Sequence, residues 1–241
     1  GQVELRSGFL RRSDRREHHL VGIGDRHDAV AGIDLDVKPG PHEIEYVMPG
    51  IKETVKGTVP LRVKEREFAT ESLEVEPKYT ELDKATQERV DREAKELGAI
   101  WTQASPKRLW AKAFVAPAVG PLGSPFGLRR VFNAKPKSPH SGVDIKAPEG
   151  AEVYASNTGK VVLAKELFFT GNTVIIDHGL GLYSVYAHLS RIDVKPGDDV
   201  ERAKLLGLVG ATGRVTGPHL HWAVKIVGAR VDPVTLPGMT L

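Results

Sequence analysis

The residues of this chain best able to do chemistry are its histidines, and five of the nine, His140, His178, His188, His219 and His221, lie in its second half. Two of them stand in Gly217-Pro218-His219-Leu220-His221-Trp222. On a β-strand, residues i and i+2 share a face. His219 and His221 then point the same way, and Leu220 points into a core. A second motif, His140-Ser141-Gly142-Val143-Asp144, adds an imidazole and a carboxylate. Pro139 and Gly142 oppose a helix there, so the spacing predicts a loop entering a strand. Taken singly, the His140–Asp144 spacing is better explained by a surface histidine near an exposed aspartate, and the His219–His221 pair has the alternative of a solvent-facing strand side. Taken together they supply one carboxylate and three imidazoles. A catalytic zinc needs three protein ligands and one open position. One histidine is left over as a base, and His188, in Tyr186-Ala187-His188-Leu189, offers another. Such parts suit hydrolysis, in which zinc acidifies water and polarises a carbonyl and imidazoles move protons.

The chain contains no cysteine. Disulfides, thiolate nucleophiles and cysteine-held zinc are excluded, so a metal here must be held by His, Asp or Glu. With 40% hydrophobic and 27% charged residues the composition is that of a globular protein, not a disordered one. The net charge of +3 is mild, and basic residues are interleaved with acidic ones, which argues against a nucleic-acid partner. The run from Arg11 to Arg16 reads as a solvated turn. No apolar run is long enough to span a bilayer. No signal peptide stands at Gly1, and the start at Gly-Gln-Val is compatible with a leader removed before this point.

The elements that must position these residues are mostly strands. Residues 1–76 carry short candidates: Val3–Ser7, His19–Ile23, Ala31–Val37, His42–Tyr46, Thr54–Lys64 and Ser72–Glu76. Turns such as Lys38-Pro39-Gly40-Pro41 separate them. Ile33, Leu35 and Val37 alternate with Asp34 and Asp36, predicting a half-buried strand. The pattern predicts a small, immunoglobulin-like β-sandwich of accessory role. Its histidines, His18, His19, His27 and His42, match no ligand spacing and read as surface residues.

Residues 77–112 form a helical linker in this reading. Asp83–Trp101 is rich in Glu, Lys, Arg and Ala, with Asp83 as N-cap and an apolar stripe at Val90, Ala94, Leu97 and Trp101. The stripe predicts packing along one of the two flanking domains. From residue 113 to 241 the pattern returns to strands, around Gly142–Ile145, Glu152–Ala155, Gly159–Lys165, Asn172–Asp177, Tyr183–His188, Gly207–Gly210 and His219–Ile226. The class is therefore mainly β.

Three motifs in one order, His140-x-x-x-Asp144, Tyr186-x-His188-Leu189 and Gly217-Pro218-His219-Leu220-His221, resemble the lysostaphin-type (LytM-like) zinc endopeptidases. The flanking text fits too: Phe-Gly-Leu-Arg from Phe126, His-Ser-Gly-Val-Asp-Ile from His140, Gly-Asn-Thr-Val-Ile-Ile-Asp-His-Gly from Gly171 and Gly-Ala-Thr-Gly from Gly210. The resemblance covers about residues 113–235. It implies a C-terminal antiparallel β-sheet peptidase domain with a groove on one face and one Zn2+ per chain. It implies His140, Asp144 and His221 as zinc ligands and His188 and His219 as the catalytic histidines. The implied reaction is hydrolysis of peptide bonds in peptidoglycan cross-links or stem peptides, in the periplasm or outside the cell. Every matching position is intact, which favours an active enzyme over a non-catalytic module that binds cell wall or regulates another hydrolase. Tyr186, sharing a strand face with His188, is expected to line the groove, and Asn133 to reach the site from its loop. His178 is expected to be a structural turn histidine.

Overall fold

The computed structural model describes residues 7–12, 17–23, 26–29, 31–49, 54–73, 82–103, 105, 107–132, 135–136 and 138–238. It is mainly β, with one α-helix among the described residues. The first strands are β1 (Ser7–Arg12), β2 (Glu17–Ile23), β3 (Arg26–Ala29), β4 (Gly40–Pro49) and β5 (Thr54–Val63). They form one antiparallel sheet in the order β3-β2-β1-β4-β5. The two facing sheets of an immunoglobulin-like sandwich, expected for residues 1–76, are not what the described residues show. A sandwich needs an apolar layer sealed between its sheets. Over residues 31–45 and 56–72 no hydrophobic side chain is fully buried, and Val59, opposite Ile44 in the β4-β5 ladder, stays 49% exposed.

The expected strand Ala31–Val37 is also not a strand. Its alternation runs the wrong way round: Ile33 is exposed and Asp34 is buried. Asp34 turns inward because it meets Arg230, 196 residues away, which donates its backbone N–H at 2.7 Å and its guanidinium at 2.5 and 3.1 Å. These charged hydrogen bonds outweigh the burial of a carboxylate, which alone would raise its pKa, and hold Asp34 down at about 2. Leu35 packs against the main core. The segment thus docks on the second half of the chain.

Strand β6 (Thr70–Leu73) does the same. It runs parallel to β7 (Arg129–Phe132), which pairs in turn with β8 (Lys135–Pro136). Just before β6, the ring of Phe68 covers Gly127, where a Cβ would lie 2.1 Å from it. Gly127 has φ +80°, so it is suited to glycine twice over.

Helix α1 (Lys84–Thr102) starts where its N-cap, Asp83, accepts a hydrogen bond from the Thr86 N–H at 2.8 Å. Leu97, Ile100 and Trp101 pack on a cluster of Leu163, Leu167, Ile175 and Tyr183. The Trp101 and Tyr183 rings meet edge to face at 5.3 Å. Ala94, in the predicted stripe, is exposed. The helix therefore covers one face of the second sheet through its C-terminal half.

That sheet has nine strands: β9 (Gly142–Ile145), β10 (Glu152–Tyr154), β11 (Gly159–Leu167), β12 (Gly171–Asp177), β13 (Leu182–Ile192), β14 (Asp199–Val200), β15 (Leu205–Val209), β16 (Leu220–Ile226) and β17 (Ala229–Val231). Its pairings are antiparallel. The core lies within it, built from fully buried side chains such as Val174, Ile176, Tyr186, Leu189, Leu206 and Leu220. Strand β16 is central to the site, because it pairs with β9 on one edge and β13 on the other. No helix among the described residues is long and apolar enough to cross a membrane.

Candidate metal centre and active-site groove

Register brings the histidine motifs together. His221 on β16 lies opposite Asp144 on β9 and opposite Ala187 on β13, next to His188. Leu220 faces the core with no exposure, and His219 and His221 both line the groove, as the i, i+2 spacing predicts. His140 enters from the loop before β9, its backbone N–H bonded to the Leu128 carbonyl at 2.9 Å.

Three donor atoms converge. His140 Nε2 is 2.9 Å from His221 Nδ1 and 3.0 Å from Asp144 Oδ1, and His221 Nδ1 is 3.0 Å from the same oxygen. His140 donates its Nδ1–H to the Pro125 carbonyl at 3.0 Å, which fixes the tautomer and leaves a lone pair on Nε2. Two nitrogens and an oxygen, gathered with lone pairs inward, fit a cation better than they fit one another. Ligand atoms on a tetrahedral zinc with bonds of ~2.0–2.1 Å stand ~3.3 Å apart. The observed triangle needs to open by only a few tenths of an ångström. Burial raises the pKa of Asp144, but the imidazoles of His140 and His221 beside Oδ1 outweigh it and hold it well below the usual carboxylate range. Burial pushes His221 down, towards the neutral form that binds metal.

His188 and His219 flank this triangle. Each donates Nδ1–H to a backbone carbonyl, His188 to Thr212 and His219 to Gly217, both at 2.9 Å. Both rings therefore present Nε2, and that of His219 is 3.7 Å from Asp144 Oδ1. Burial, aided by the neighbouring imidazoles His221 and His219, pushes His188 down to about 3, so it is neutral near pH 7.

His188 reaches the groove by an irregularity. It has φ +66°, rare for a residue with a side chain. Between the pairs Val174–Tyr186 and Asn172–Leu189, β13 spends three residues where β12 spends two. This bulge re-aims the side chain. It also ends the alternation that was expected to put Tyr186 beside His188. Tyr186 does not line the groove: it is fully buried, and its hydroxyl accepts the Ser156 N–H at 2.8 Å. Asn133 lies outside the described residues.

His178 is the structural histidine expected. It is fully buried, donating Nδ1–H to the Thr158 carbonyl at 2.8 Å. Ser184 Oγ lies 2.7 Å from its Nε2 and 2.8 Å from Tyr186 Oη. One proton order satisfies the whole chain: Ser156 N–H to Tyr186, Tyr186 O–H to Ser184, Ser184 O–H to His178. Burial drives His178 down to about 4, consistent with a neutral ring.

The groove has a volume of ≈ 1360 Å³. That exceeds the usual range for a small-molecule pocket and suits an extended substrate. Its walls include Phe169, Lys146 and Arg214, and the Arg214 guanidinium lies 4.6 Å from the Phe169 ring centre. Arg130 also lines it and donates Nη2–H to Asp144 Oδ2 at 3.1 Å. Sequence reasoning passed over Arg130. The available signal was a charged residue between Leu128 and Val131, directly after the Phe126–Arg129 stretch.

An antiparallel sheet that gathers two imidazoles and a carboxylate beneath an open groove, with two further histidines beside them, defines a metal-centre class of β-protein. The model of peptidase family M23 matches residues 138–233, which include the four groove histidines and Asp144. The crystal structure of a Pseudomonas aeruginosa protein assigned to peptidase M23 is 35% identical, with a TM-score of 0.77 over 99% of this chain and 90% of that one. Peptidoglycan DD-endopeptidase ShyA of Vibrio cholerae is 43% identical over 112 residues, 46% of this chain and 26% of that protein. The DD-carboxypeptidase/endopeptidase Mpg of Neisseria meningitidis is 39% identical over 115 residues, 48% of this chain and 26% of that protein. The chain thus spans about a quarter of the length of these curated relatives. It belongs to peptidase family M23. That family is zinc-dependent, and the His140, Asp144 and His221 donors fit zinc.

Proposed function

We propose that the chain is a zinc-dependent endopeptidase that hydrolyses peptide bonds in bacterial peptidoglycan, in cross-links or stem peptides. The observation that carries this is the complete set: a three-donor triangle with sides of 2.9–3.0 Å and two further imidazoles beside it in the same groove, each anchored through Nδ1. The likeness to proteins named peptidoglycan DD-endopeptidases supports the substrate class.

In this reading His140, Asp144 and His221 hold the zinc. Bound there, the metal supplies Lewis acidity, which lowers the pKa of water and polarises a carbonyl. The remaining work falls to the chain. The groove holds an extended peptide across β16. His188 and His219, each with Nδ1 anchored to a backbone carbonyl, turn Nε2 towards the groove. One accepts the proton of the attacking water. Once protonated, that imidazole donates Nε2–H to the developing oxyanion and then passes the proton to the departing amine. The anchored Nδ1–H bonds keep both rings in orientation throughout.

Residues 113–241 form the peptidase unit, 77–112 link it to the first part, and 1–76 play an accessory role in which residues 31–37 and 66–73 brace the peptidase unit. The substrate places the protein in the periplasm or outside the cell.

The test is to load the protein with zinc and incubate it with purified cross-linked muropeptides, full-length and as residues 113–241. Cleavage by the full chain supports the proposal. Muropeptides left uncut by both forms refute it, and binding without cleavage would mark a non-catalytic cell-wall module instead.

A further inference from the structure

Asp144 uses its two carboxylate oxygens differently. Oδ1 lies 3.0 Å from both His140 Nε2 and His221 Nδ1, inside the donor triangle. Oδ2 points away from it and accepts Nη2–H of Arg130 at 3.1 Å. We propose that Arg130 is a positioning residue that restricts Asp144 to one-oxygen ligation and so keeps the metal site open. This inference rests on the zinc-site reading above.

The argument is one of coordination and cost. A catalytic zinc holds three protein donors and leaves the next position for substrate or water. A carboxylate is able to give both oxygens, and doing so here would fill that position. A guanidinium on Oδ2 prevents it, because the bond ties that oxygen outside the triangle and fixes the plane of the carboxylate. Arginine suits the task since it carries a permanent charge and a rigid set of donors. Asp144 is only 7% exposed, and a buried carboxylate needs such a partner when no cation fills the triangle.

Arg130 is itself held in place from the first half of the chain. It sits on β7, opposite Glu71 of β6, and the neighbouring Arg129 N–H bonds to the Ala69 carbonyl at 2.9 Å. Among the described residues its Nε is buried with no hydrogen-bond partner, and its Nη2 bond to Asp144 aims the guanidinium.

The test uses the full chain with Arg130→Met, which keeps the aliphatic stem, and Arg130→Lys, which keeps the charge without the fork. Cobalt(II) is substituted for zinc and its visible absorption recorded, and zinc affinity is measured by chelator competition. The folded state is checked by circular dichroism. Wild type should give the intense bands of four-coordinate cobalt. Arg130→Met should give weaker bands, as the carboxylate closes on the metal through both oxygens, and zinc affinity lowered about tenfold. Arg130→Lys should fall between the two, and it carries the test if Arg130→Met does not fold. A folded variant with the wild-type cobalt spectrum and affinity overturns the role of Arg130. Wild type that binds neither zinc nor cobalt overturns the zinc-site reading instead.

Discussion

The imidazoles of His188 and His219 stand with ring centres 5.0 Å apart and planes tilted by 57°, each tethered by Nδ1–H to a backbone carbonyl. They come from different strand contexts, a bulge in β13 and the residue just before β16, yet arrive in the same tautomer. Neither belongs to the donor triangle. His188→Ala and His219→Ala should therefore retain zinc while losing about 10²–10⁴-fold in turnover, the usual worth of a positioned acid or base. Measuring metal content beside kcat on muropeptides checks this. A variant that loses its zinc along with activity would move that histidine into the ligand set.

For the triangle the opposite pattern is expected. His221→Ala or Asp144→Ala removes one of three donors, so both metal and hydrolysis should be lost. The sheet should persist, because neighbouring Leu220 and Trp222 hold β16 in the core. Elemental analysis after dialysis against zinc, with a circular dichroism spectrum, separates loss of metal from loss of fold.

His178 predicts how stability depends on pH. Its pKa is about 4 in the folded chain against about 6.5 in an unfolded one. As pH falls through 6.5, the unfolded chain takes up the proton first, so unfolding becomes easier. The contribution is present in full above pH 6.5, declines down to about pH 4 and then levels off. It amounts to about 3 kcal/mol at most. Denaturant melts of wild type and His178→Gln between pH 4 and 7 test it: the variant should be less stable at neutral pH but have a flatter profile. Parallel profiles would show that another group sets the acid sensitivity.

The contact between Asp34 and Arg230 predicts a cost from a conservative change. Asp34→Asn leaves the guanidinium with a neutral partner and should destabilise by about 1–2 kcal/mol. Much of that should disappear in Arg230→Met/Asp34→Asn, since neither charge is then left unpaired. Thermal melts of the double-mutant cycle decide it, and additive effects would mean that the two residues are not coupled.

These features differ in how plainly they are written in the chain. The histidines and Asp144 were legible because few residue types bind metal, and because a two-residue spacing on a strand has one meaning. The helix was legible because Asp83 caps it and its composition is uniform. Tyr186 was misplaced because alternation assumes an unbroken strand, and the bulge at His188 has no local signature. Asp34 was misplaced for a different reason: its partner is 196 residues away, and a hydrophobic alternation says nothing of an ion pair that reverses it. Alternation predicted a sandwich for residues 1–76, where the described strands form one sheet, because alternation shows that a strand is half-buried but not what covers it. Arg130 is marked in sequence only by its place after the Phe126–Arg129 stretch, since an arginine on a strand is ordinarily a solvated residue, and only the fold sets it against Asp144.

The contact of Phe68 with Gly127 tests how far the first half of the chain supports the site. Gly127 precedes the strand that carries Arg130, and its N–H bonds to the His140 carbonyl at 2.9 Å. A methyl at Gly127 would lie 2.1 Å from the Phe68 ring and would also strain a backbone at φ +80°. Gly127→Ala must therefore displace Phe68, shift the Gly127–His140 contact, or both. Either movement reaches a metal donor directly through His140 or indirectly through Arg130. The variant should lose about 1–3 kcal/mol of stability and retain zinc less well than wild type. Phe68→Ala removes the obstruction but not the backbone strain. In Phe68→Ala/Gly127→Ala the additional cost of the methyl should thus fall to about 1–2 kcal/mol. Thermal melts and zinc competition on the four proteins measure both effects. If Gly127→Ala melts earlier but holds zinc as tightly as wild type, the segment stabilises the fold without supporting the metal centre.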